Sequence, residues 1–247
     1  MSTPCLVIFG ASRGLGRALA WHYAALGWRV LAIGRCFQPS EPAQWPDNIE
    51  QIRLDVTDQQ ALSAFFYTLA QRRELQPIEL IVYNVGLYVA ARDSQLTVEA
   101  TQQMLNTNLL AMQQTFAFAS QLLLEQGHGQ LAATASVAAL LKQDPKASVY
   151  SASKRSVLSI CDTYRLALAP FGIRVSAIVP GYIDTARLRE LNGGSSQHKL
   201  FVMSEQAAVQ RIAQGLARQQ ARIIFPRRMR WLIAFANYAP AWLLQWR

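Results

Sequence analysis

The stretch Leu6-Val7-Ile8-Phe9-Gly10-Ala11-Ser12-Arg13-Gly14-Leu15-Gly16 decides the fold of this chain. Four consecutive apolar residues read as a strand covered on both faces, and the helical spacing of Leu15 to Leu26 begins directly after the glycines. Glycine in such a strand-to-helix turn lets the backbone approach a ligand, and the unpaired amides at the helix start are donors for phosphate oxygens. Gly10, Ser12, Arg13, Gly14, Leu15 and Gly16 therefore form a candidate pyrophosphate loop. The alternative is a purely structural turn, since the spacing is not the commonest Gly-x-Gly-x-x-Gly form.

Outward from this turn, short strand-like runs continue at Arg29 to Ile33, Ile52 to Leu54, Ile78 to Tyr83, Leu131 to Thr134, Arg174 to Val179 and Arg222 to Phe225. Segments of helical period lie between them: Gln59 to Leu75, Val98 to Glu125, Val149 to Ala169 and Glu205 to Arg218. Alternation of this kind forces parallel strands with crossover helices, so the expected fold class is α/β, a doubly wound parallel sheet of Rossmann type in a single domain over residues 1–247. Pro39, Pro42 and Pro46 predict a loop where one crossover helix would stand. Ligands of such sheets bind at the carboxyl ends of the strands, so motifs there carry most weight.

With 51% hydrophobic and 16% charged residues, the chain has enough apolar material for a large core, which excludes a disordered or fibrous protein. Cys5, Cys36 and Cys161 form neither a disulfide framework nor a metal cluster, and no metal is expected. The start, Met1 to Cys5, shows no secretory signal, so a reducing, cytoplasmic location is expected. Part of the net charge of +9 lies between Gln206 and Arg247, where no acidic residue occurs. The basic, apolar tail over residues 226–247 is too short to span a bilayer. It reads either as a segment at a membrane interface or as subunit packing in a homodimer or homotetramer. Charge without a recognised binding module argues against nucleic acid as a partner.

The second strand ends in Ala32-Ile33-Gly34-Arg35, where an acidic residue would bind the ribose hydroxyls of NAD. Arg35 and Arg13 instead present two guanidinium groups suited to a ribose 2′-phosphate, which makes NADP(H) the expected cofactor; the alternative is two solvated surface charges. Tyr150 and Lys154 stand one turn apart on a predicted helix and project from the same face. A neighbouring ammonium favours the phenolate, so Lys154 is expected to tune Tyr150 for proton transfer, although an isolated pair of this spacing is more often a surface lysine beside a half-buried aromatic.

Taken together, the glycine loop, Tyr150-x-x-x-Lys154, Thr134-Ala135-Ser136 and Asn106-Thr107-Asn108-Leu109 resemble the short-chain dehydrogenase/reductase (SDR) family. The resemblance covers residues from about Leu6 to about Thr185. It implies that Ser136 orients the substrate oxygen and Tyr150 is the general acid or base. Lys154 would bind the nicotinamide ribose, and Asn108, with Asn106 as the rival position, would hold a water linking the lysine to solvent. It further implies that Asp55 and Val56 contact adenine, Asn84 and Gly86 flank the adenosine, and Pro180, Ile183 and Thr185 approach the nicotinamide. Three departures are the Ser136-to-Tyr150 interval, longer by about one residue and assigned to the loop Lys142 to Lys146; Ala135 and Ala139 for the usual serine and glycine; and Tyr83 for an asparagine. The implied function is NADP(H)-dependent reduction of a carbonyl, or oxidation of the alcohol, of a hydrophobic small molecule. The alternative is a non-enzymatic NADP(H)-binding sensor on the same fold. Residues 186–204 are expected to form a substrate lid, in which Leu188, Leu191, Leu200, Phe201 and Met203 either line an apolar wall against the ligand or pack the lid itself.

Overall fold

The computed structural model describes residues 3–37, 45–72, 77–89, 95–141, 148–191, 193–195, 201–226, 228, 229, 233 and 237. Its strands are β1 (Cys5–Phe9), β2 (Arg29–Gly34), β3 (Ile49–Arg53), β4 (Ile78–Tyr83), β5 (Gln130–Thr134), β6 (Arg174–Pro180), β7 (Ile183–Asp184), β8 (Met203–Ser204) and β9 (Arg222–Phe225). The helices are α1 (Gly14–Ala25), α2 (Gln59–Arg72), α3 (Val98–Leu105), α4 (Ala111–Gln126), α5 (Ser148–Leu168), α6 (Ala186–Leu191) and α7 (Glu205–Ala217). Seven strands form one parallel sheet in the order β3-β2-β1-β4-β5-β6-β9, so the winding reverses between β1 and β4, beside the glycine loop.

The central strands β1, β2 and β5 are almost wholly buried because both faces of the sheet are covered, whereas the edge strand β3 exposes Glu50, Gln51 and Arg53. Val7, Phe9, Ile33, Ile81 and Tyr83 pack with Phe66, Phe116, Leu123 and Val157 of α2, α4 and α5. Leu6, Ile8 and Ile178 face the other way, onto Leu19, Ala20, Ala208 and Ile212 of α1 and α7. The period-2 alternation within β1 thus assigns its side chains to two separate cores.

Three departures from the sequence reading have physical causes. The strand expected at Ile52 to Leu54 begins earlier, at Ile49, where Val30 pairs with it; Leu54 lies past its end but donates its N–H to Gly34 O at 3.0 Å. The single helix expected over Val98 to Glu125 is broken at Asn106–Leu110 by a π-turn, in which the Ala111 N–H reaches back to Asn106 O. The phenol of Tyr83 donates to Thr107 O at 2.7 Å and so caps a carbonyl of that turn. Residues 186–204 are held at both ends, because Ile183 and Asp184 pair with Met203 and Ser204 in a second, two-stranded sheet. Residue 192 and residues 196–200, including Leu200 of the expected apolar wall, lie outside the described residues. So do the Lys142 to Lys146 loop, Pro39 and Pro42, and most of the tail. Of the tail, Met229 and Ile233 are buried and Asn237 donates to Leu140 O at 2.7 Å, so these residues are used within the chain. No described helix is long and apolar enough to cross a membrane.

Helix α5 is tied to the edge strand β9 by Asp162, which accepts from Arg165 at 2.6 Å and from Arg222. Partial burial raises the Asp162 carboxyl, and the two arginines more than offset this, so its pKa lies below the ordinary carboxylate value. A depressed folded-state pKa contributes stability above the unfolded pKa, and that contribution disappears as pH falls through the folded value. Asp162→Asn is therefore expected to cost about 1 kcal/mol at pH 7, reduced because the pair is partly solvated, and less at about pH 3, below the ordinary carboxylate value. Urea unfolding at both pH values checks it; equal loss at both would mean the carboxylate charge plays no part.

Candidate active site

Two connected features lie at the carboxyl end of the sheet. A cavity of about 190 Å³ is lined by Asn84, Gly86, Leu87, Tyr88, Thr134, Ala135, Ser136, Tyr150, Lys154, Pro180 and Gly181. A longer cleft of about 1540 Å³ shares Asn84, Gly86, Leu87 and Tyr88 with it and runs past Gly10, Ser12, Arg13, Gly14 and Leu15 to Arg35, Asp55 and Val56. Most of the sequence-predicted residues, from Gly10 to Thr185, are thus brought to one groove, whereas Gly16, Asn108 and Ile183 line neither feature.

Gly10 has φ +81° and Gly14 φ +54°, values that an L side chain rarely adopts, and a Cβ at Gly10 would stand 3.0 Å from the Val85 nitrogen. The turn is sealed beneath by the N–H groups of Gly10 and Ala11, which donate to Ile33 O at 2.8 and 3.0 Å. Helix α1 has no acidic residue in its first turn, and Arg13 stands at its N-cap without a side-chain capping bond, so its first amides open on the cleft floor. Residues of this kind fit a diphosphate. Arg13 and Arg35 are exposed on the cleft wall, with Arg35 Nη1 4.0 Å from Asp55 Oδ2. Asp55 Oδ1 accepts from the N–H and hydroxyl of Thr57, at 3.0 and 2.8 Å, which fixes the chain where it leaves β3.

Asn84 is a strut at the switch point: its Nδ2 donates to Gly10 O at 3.3 Å and its Oδ1 accepts from Thr134 Oγ1 at 3.0 Å. Thr134 O in turn accepts from Lys154 Nζ at 2.9 Å. A Cβ on Gly86 would lie 3.1 Å from that Nζ, so the glycine makes room for the ammonium. Lys154 is 3% exposed, and burial lowers its pKa to about 8. Its Nζ donates to Thr134 O, on the strand beside the helix that it shares with Tyr150. Burial pushes the Tyr150 hydroxyl up to about 12; a hydrogen bond with Ser136 lowers it, and the phenols of Tyr88 and Tyr182 raise it. Ser136 is itself oriented, since its Oγ accepts from Ala138 N–H at 3.2 Å at the start of a 3₁₀ turn over Val137–Leu140. At neutral pH the site therefore holds a protonated phenol, with a serine hydroxyl beside it.

The π-turn decides between the two asparagines: Asn108 is fully buried and Asn106 is exposed. Asn108 Oδ1 accepts from Leu87 N–H at 2.7 Å, while its Nδ2 donates to Leu87 O at 2.9 Å and Ser153 Oγ at 3.2 Å. Ser153 donates to Tyr150 O at 2.8 Å, which links the asparagine to the helix turn that carries the phenol. Local extrusions of this type recur at functional sites because they re-aim a side chain without ending the helix. Pro180 and Gly181 line the cavity and Thr185 the cleft, whereas Ile183 is buried in the core. Leu188, Leu191, Phe201 and Met203 line neither; the segment instead turns Asp184, Thr185, Arg187, Arg189 and Glu190 toward the cleft, and Met203 packs on the α1/α7 core. Of the expected apolar wall, Met203 is thus used in core packing, and Leu188, Leu191 and Phe201 border neither the cavity nor the cleft.

Sequence reasoning missed Tyr88, Ser153, the Leu87 backbone and the capping role of Tyr83. Only Ser153 left a signal, as a serine three residues after Tyr150, able to bond the carbonyl of its own turn.

Comparison with known proteins agrees with this geometry. The short chain dehydrogenase family model matches residues 4–195. The chain is 29% identical over 235 residues to an uncharacterized oxidoreductase of Myxococcus xanthus, covering 92% of this chain and 88% of that protein. It is 31% identical over 196 residues to the mouse 3-oxoacyl-[acyl-carrier-protein] reductase, covering 77% and 80%. Among solved structures, a short chain dehydrogenase from Burkholderia cenocepacia in complex with NADP superposes with TM-score 0.80 at 21% identity, over 98% of this chain and 96% of that one. With a match across the glycine loop, the Asn108 turn and the Tyr150–Lys154 helix, the chain belongs to the short-chain dehydrogenase family of oxidoreductases.

Proposed function

We propose that this chain is an NADP(H)-dependent carbonyl reductase in which Tyr150 delivers the proton. The observation that carries the reading is the Ser136–Tyr150 hydrogen bond at a cavity that also buries Lys154. A carbonyl oxygen in that cavity meets two hydroxyl donors, and donors placed before the reaction stabilise the negative charge that develops on the oxygen. The raised phenol pKa keeps Tyr150 protonated, the form that reduction requires. When bound, the nicotinamide supplies the hydride for the carbonyl carbon. Lys154, between Thr134 O and Gly86, is placed to hold the adjoining ribose, and Asn108 with Ser153 holds the turn beneath Tyr150. The glycine loop holds the diphosphate, and Asp55, Val56 and Asn84 border the adenosine end. The similarity to 3-oxoacyl-[acyl-carrier-protein] reductases supports a carbonyl substrate. A complete set of Ser136, Tyr150, Lys154 and Asn108 favours an enzyme over a binding sensor. Incubation with NADPH and a panel of ketones and aldehydes, followed by nicotinamide absorbance, tests the reading; no oxidation of NADPH with any of them would remove it.

The choice of NADP(H) over NAD(H) rests on Arg13 and Arg35 on the cleft wall, and it is supported by relatives of the same fold solved with NADP or NADPH. A guanidinium that binds phosphate through charge-assisted hydrogen bonds contributes about 1.5–3 kcal/mol. Arg35→Ala is therefore expected to weaken NADPH binding by about tenfold to a hundredfold and to leave NADH binding within about threefold. Fluorescence titration with both nucleotides measures this; parallel loss for the two would assign the arginine a structural role. The exposed Leu110, Leu166 and Phe171 support a homo-oligomer that covers them.

A further inference from the structure

The tail after β9 stands out by its basic, apolar composition, and the reductase reading makes no use of it. Of its described residues, those at the root pack on Gly181, which lines the catalytic cavity. The Gly181 N–H donates to Phe225 O at 2.8 Å, and a Cβ on Gly181 would stand 2.9 Å from Pro226 Cδ and 3.6 Å from Met229 Cε. Met229 and Ile233 are buried, and further on Asn237 Nδ2 donates to Leu140 O at 2.7 Å, across 97 positions of sequence. Leu140 ends the 3₁₀ turn that Ser136 begins, and Ser136 lines the same cavity.

The start of that turn is closed by its own residues: Ser136 Oγ accepts from Ala138 N–H at 3.2 Å, and Ser136 O accepts from Ala139 N–H at 3.0 Å. Its far end is held from outside. The last carbonyls of a short helix have no partner within it. Here Leu140 O is taken by Asn237, and Leu141 O by Arg155 of α5, the residue after Lys154. A turn held only at its start pivots there, and the Ser136 hydroxyl moves with it, because Oγ is bound to an amide of the turn. Anchoring a carbonyl at the other end removes that freedom.

We propose that Asn237 is a positioning residue for the reaction: by binding Leu140 O it fixes the turn that carries Ser136, and so fixes the Ser136 hydroxyl against Tyr150. The tail thereby belongs to the active-site architecture of its own chain. The catalytic consequence rests on the reductase reading, whereas the pinning of the turn does not. A bond that only tied down a chain end would act on stability alone. One that holds Ser136 acts on the chemical step, and only while Ser136 is present.

The test uses the full chain with NADPH and 4-nitrobenzaldehyde, or the ketone or aldehyde of the panel above that is reduced fastest, at enzyme concentrations high enough to register slow variants. A misplacement of about 1 Å at a reacting centre costs about a hundredfold in rate, so partial loosening of one hydroxyl in Asn237→Ala is expected to lower kcat about tenfold. NADPH is expected to bind within about twofold of wild type, because the glycine loop is on a different element. Asn237→Asp keeps the shape but replaces the amide donor with an acceptor, and is expected to lose at least as much. In a Ser136→Ala background, Asn237→Ala is expected to change kcat by no more than about twofold, since the group it positions is gone. Hydrogen exchange read by mass spectrometry needs no substrate: the amides of Val137 to Leu141 are expected to exchange about tenfold faster in Asn237→Ala, while unchanged exchange in α1 shows that the variant is folded.

Equal proportional losses of kcat in the two backgrounds, or unchanged exchange in the turn, overturn the proposal and leave the reductase reading standing. Faster exchange with undiminished kcat overturns it too, because the turn then moves without consequence for the reaction. If wild type reduces no carbonyl of the panel, the reductase reading falls and the positioning role falls with it, while faster exchange still shows that the tail pins the turn.

Discussion

Tyr150→Phe is expected to lower turnover about a thousandfold while NADPH binds within about threefold of wild type. A positioned general acid contributes about 10²–10⁴ in rate, so a thousandfold loss corresponds to about 4 kcal/mol of transition-state stabilisation. The substitution removes one oxygen and nothing else. The ring remains against Tyr88, and the cradle at Gly10 to Gly16 is on a different element. The proton and the partner of the Ser136 hydroxyl disappear, so a carbonyl oxygen in the cavity would meet one donor in place of two. Nicotinamide absorbance reads turnover, and quenching of tryptophan fluorescence reads binding. Retention of more than a tenth of the turnover would exclude Tyr150 as the acid, and a parallel loss of binding would show a distorted site.

The second large effect is on stability. A Cβ at Gly16 would stand 2.0 Å from Gly10 O and 2.9 Å from Gly10 C, and both are backbone atoms that cannot rotate away. Helix α1 would have to lift from β1, which would loosen Leu15, Leu19 and Ala20 from Leu6 and Ile8 in the same core. Gly16→Ala is therefore expected to cost about 3 kcal/mol or more, at the upper end for overpacked sites, and to lower Tm by roughly 6–12 °C in a chain of this size. NADPH affinity should fall with it, because the moved helix carries the cradle amides. Gly27→Ala is the control: no atom lies within 4 Å of the added Cβ, and only the cost of φ +81°, about 1 kcal/mol, remains. Thermal unfolding of both variants decides the matter; equal shifts would mean that α1 tolerates displacement.

Much of the site was legible because each part of it lies within one element and ends at the same edge of the sheet. Gly10 to Gly16 follows β1, Ser136 follows β5, Pro180 closes β6, and Tyr150 and Lys154 share one helix face. Parallel strands place all these ends together, so the order of motifs already implied a common groove. Lys154 shows where this reasoning stops. Helical spacing puts it on the face of Tyr150, but the position of its ammonium depends on the Thr134 carbonyl and on the missing side chain of Gly86, both on other strands.

The π-turn is a second case. The residues Asn106-Thr107-Asn108-Leu109-Leu110 carry no composition that distinguishes them from continuous helix, and periodicity predicts one. The extra residue is accommodated where Tyr83 caps Thr107 O and where Asn108 is paired with Leu87 and Ser153, partners 24, 21 and 45 positions away. Met203, counted in the apolar wall expected after Thr185, is a third case: its pairing in β8 with β7 and its packing on the α1/α7 core decide where its side chain lies.

By itself, then, the sequence determined the strand and helix order, the parallel sheet, the glycine loop and the chemistry-bearing residue types, because burial period and backbone permission are properties of neighbouring residues. Tertiary structure alone decided which hydroxyl meets Tyr150, where Lys154 points, which asparagine is buried and that Tyr88 opens on the cavity, because a hydrogen bond between distant elements depends on how the crossovers bring them into contact.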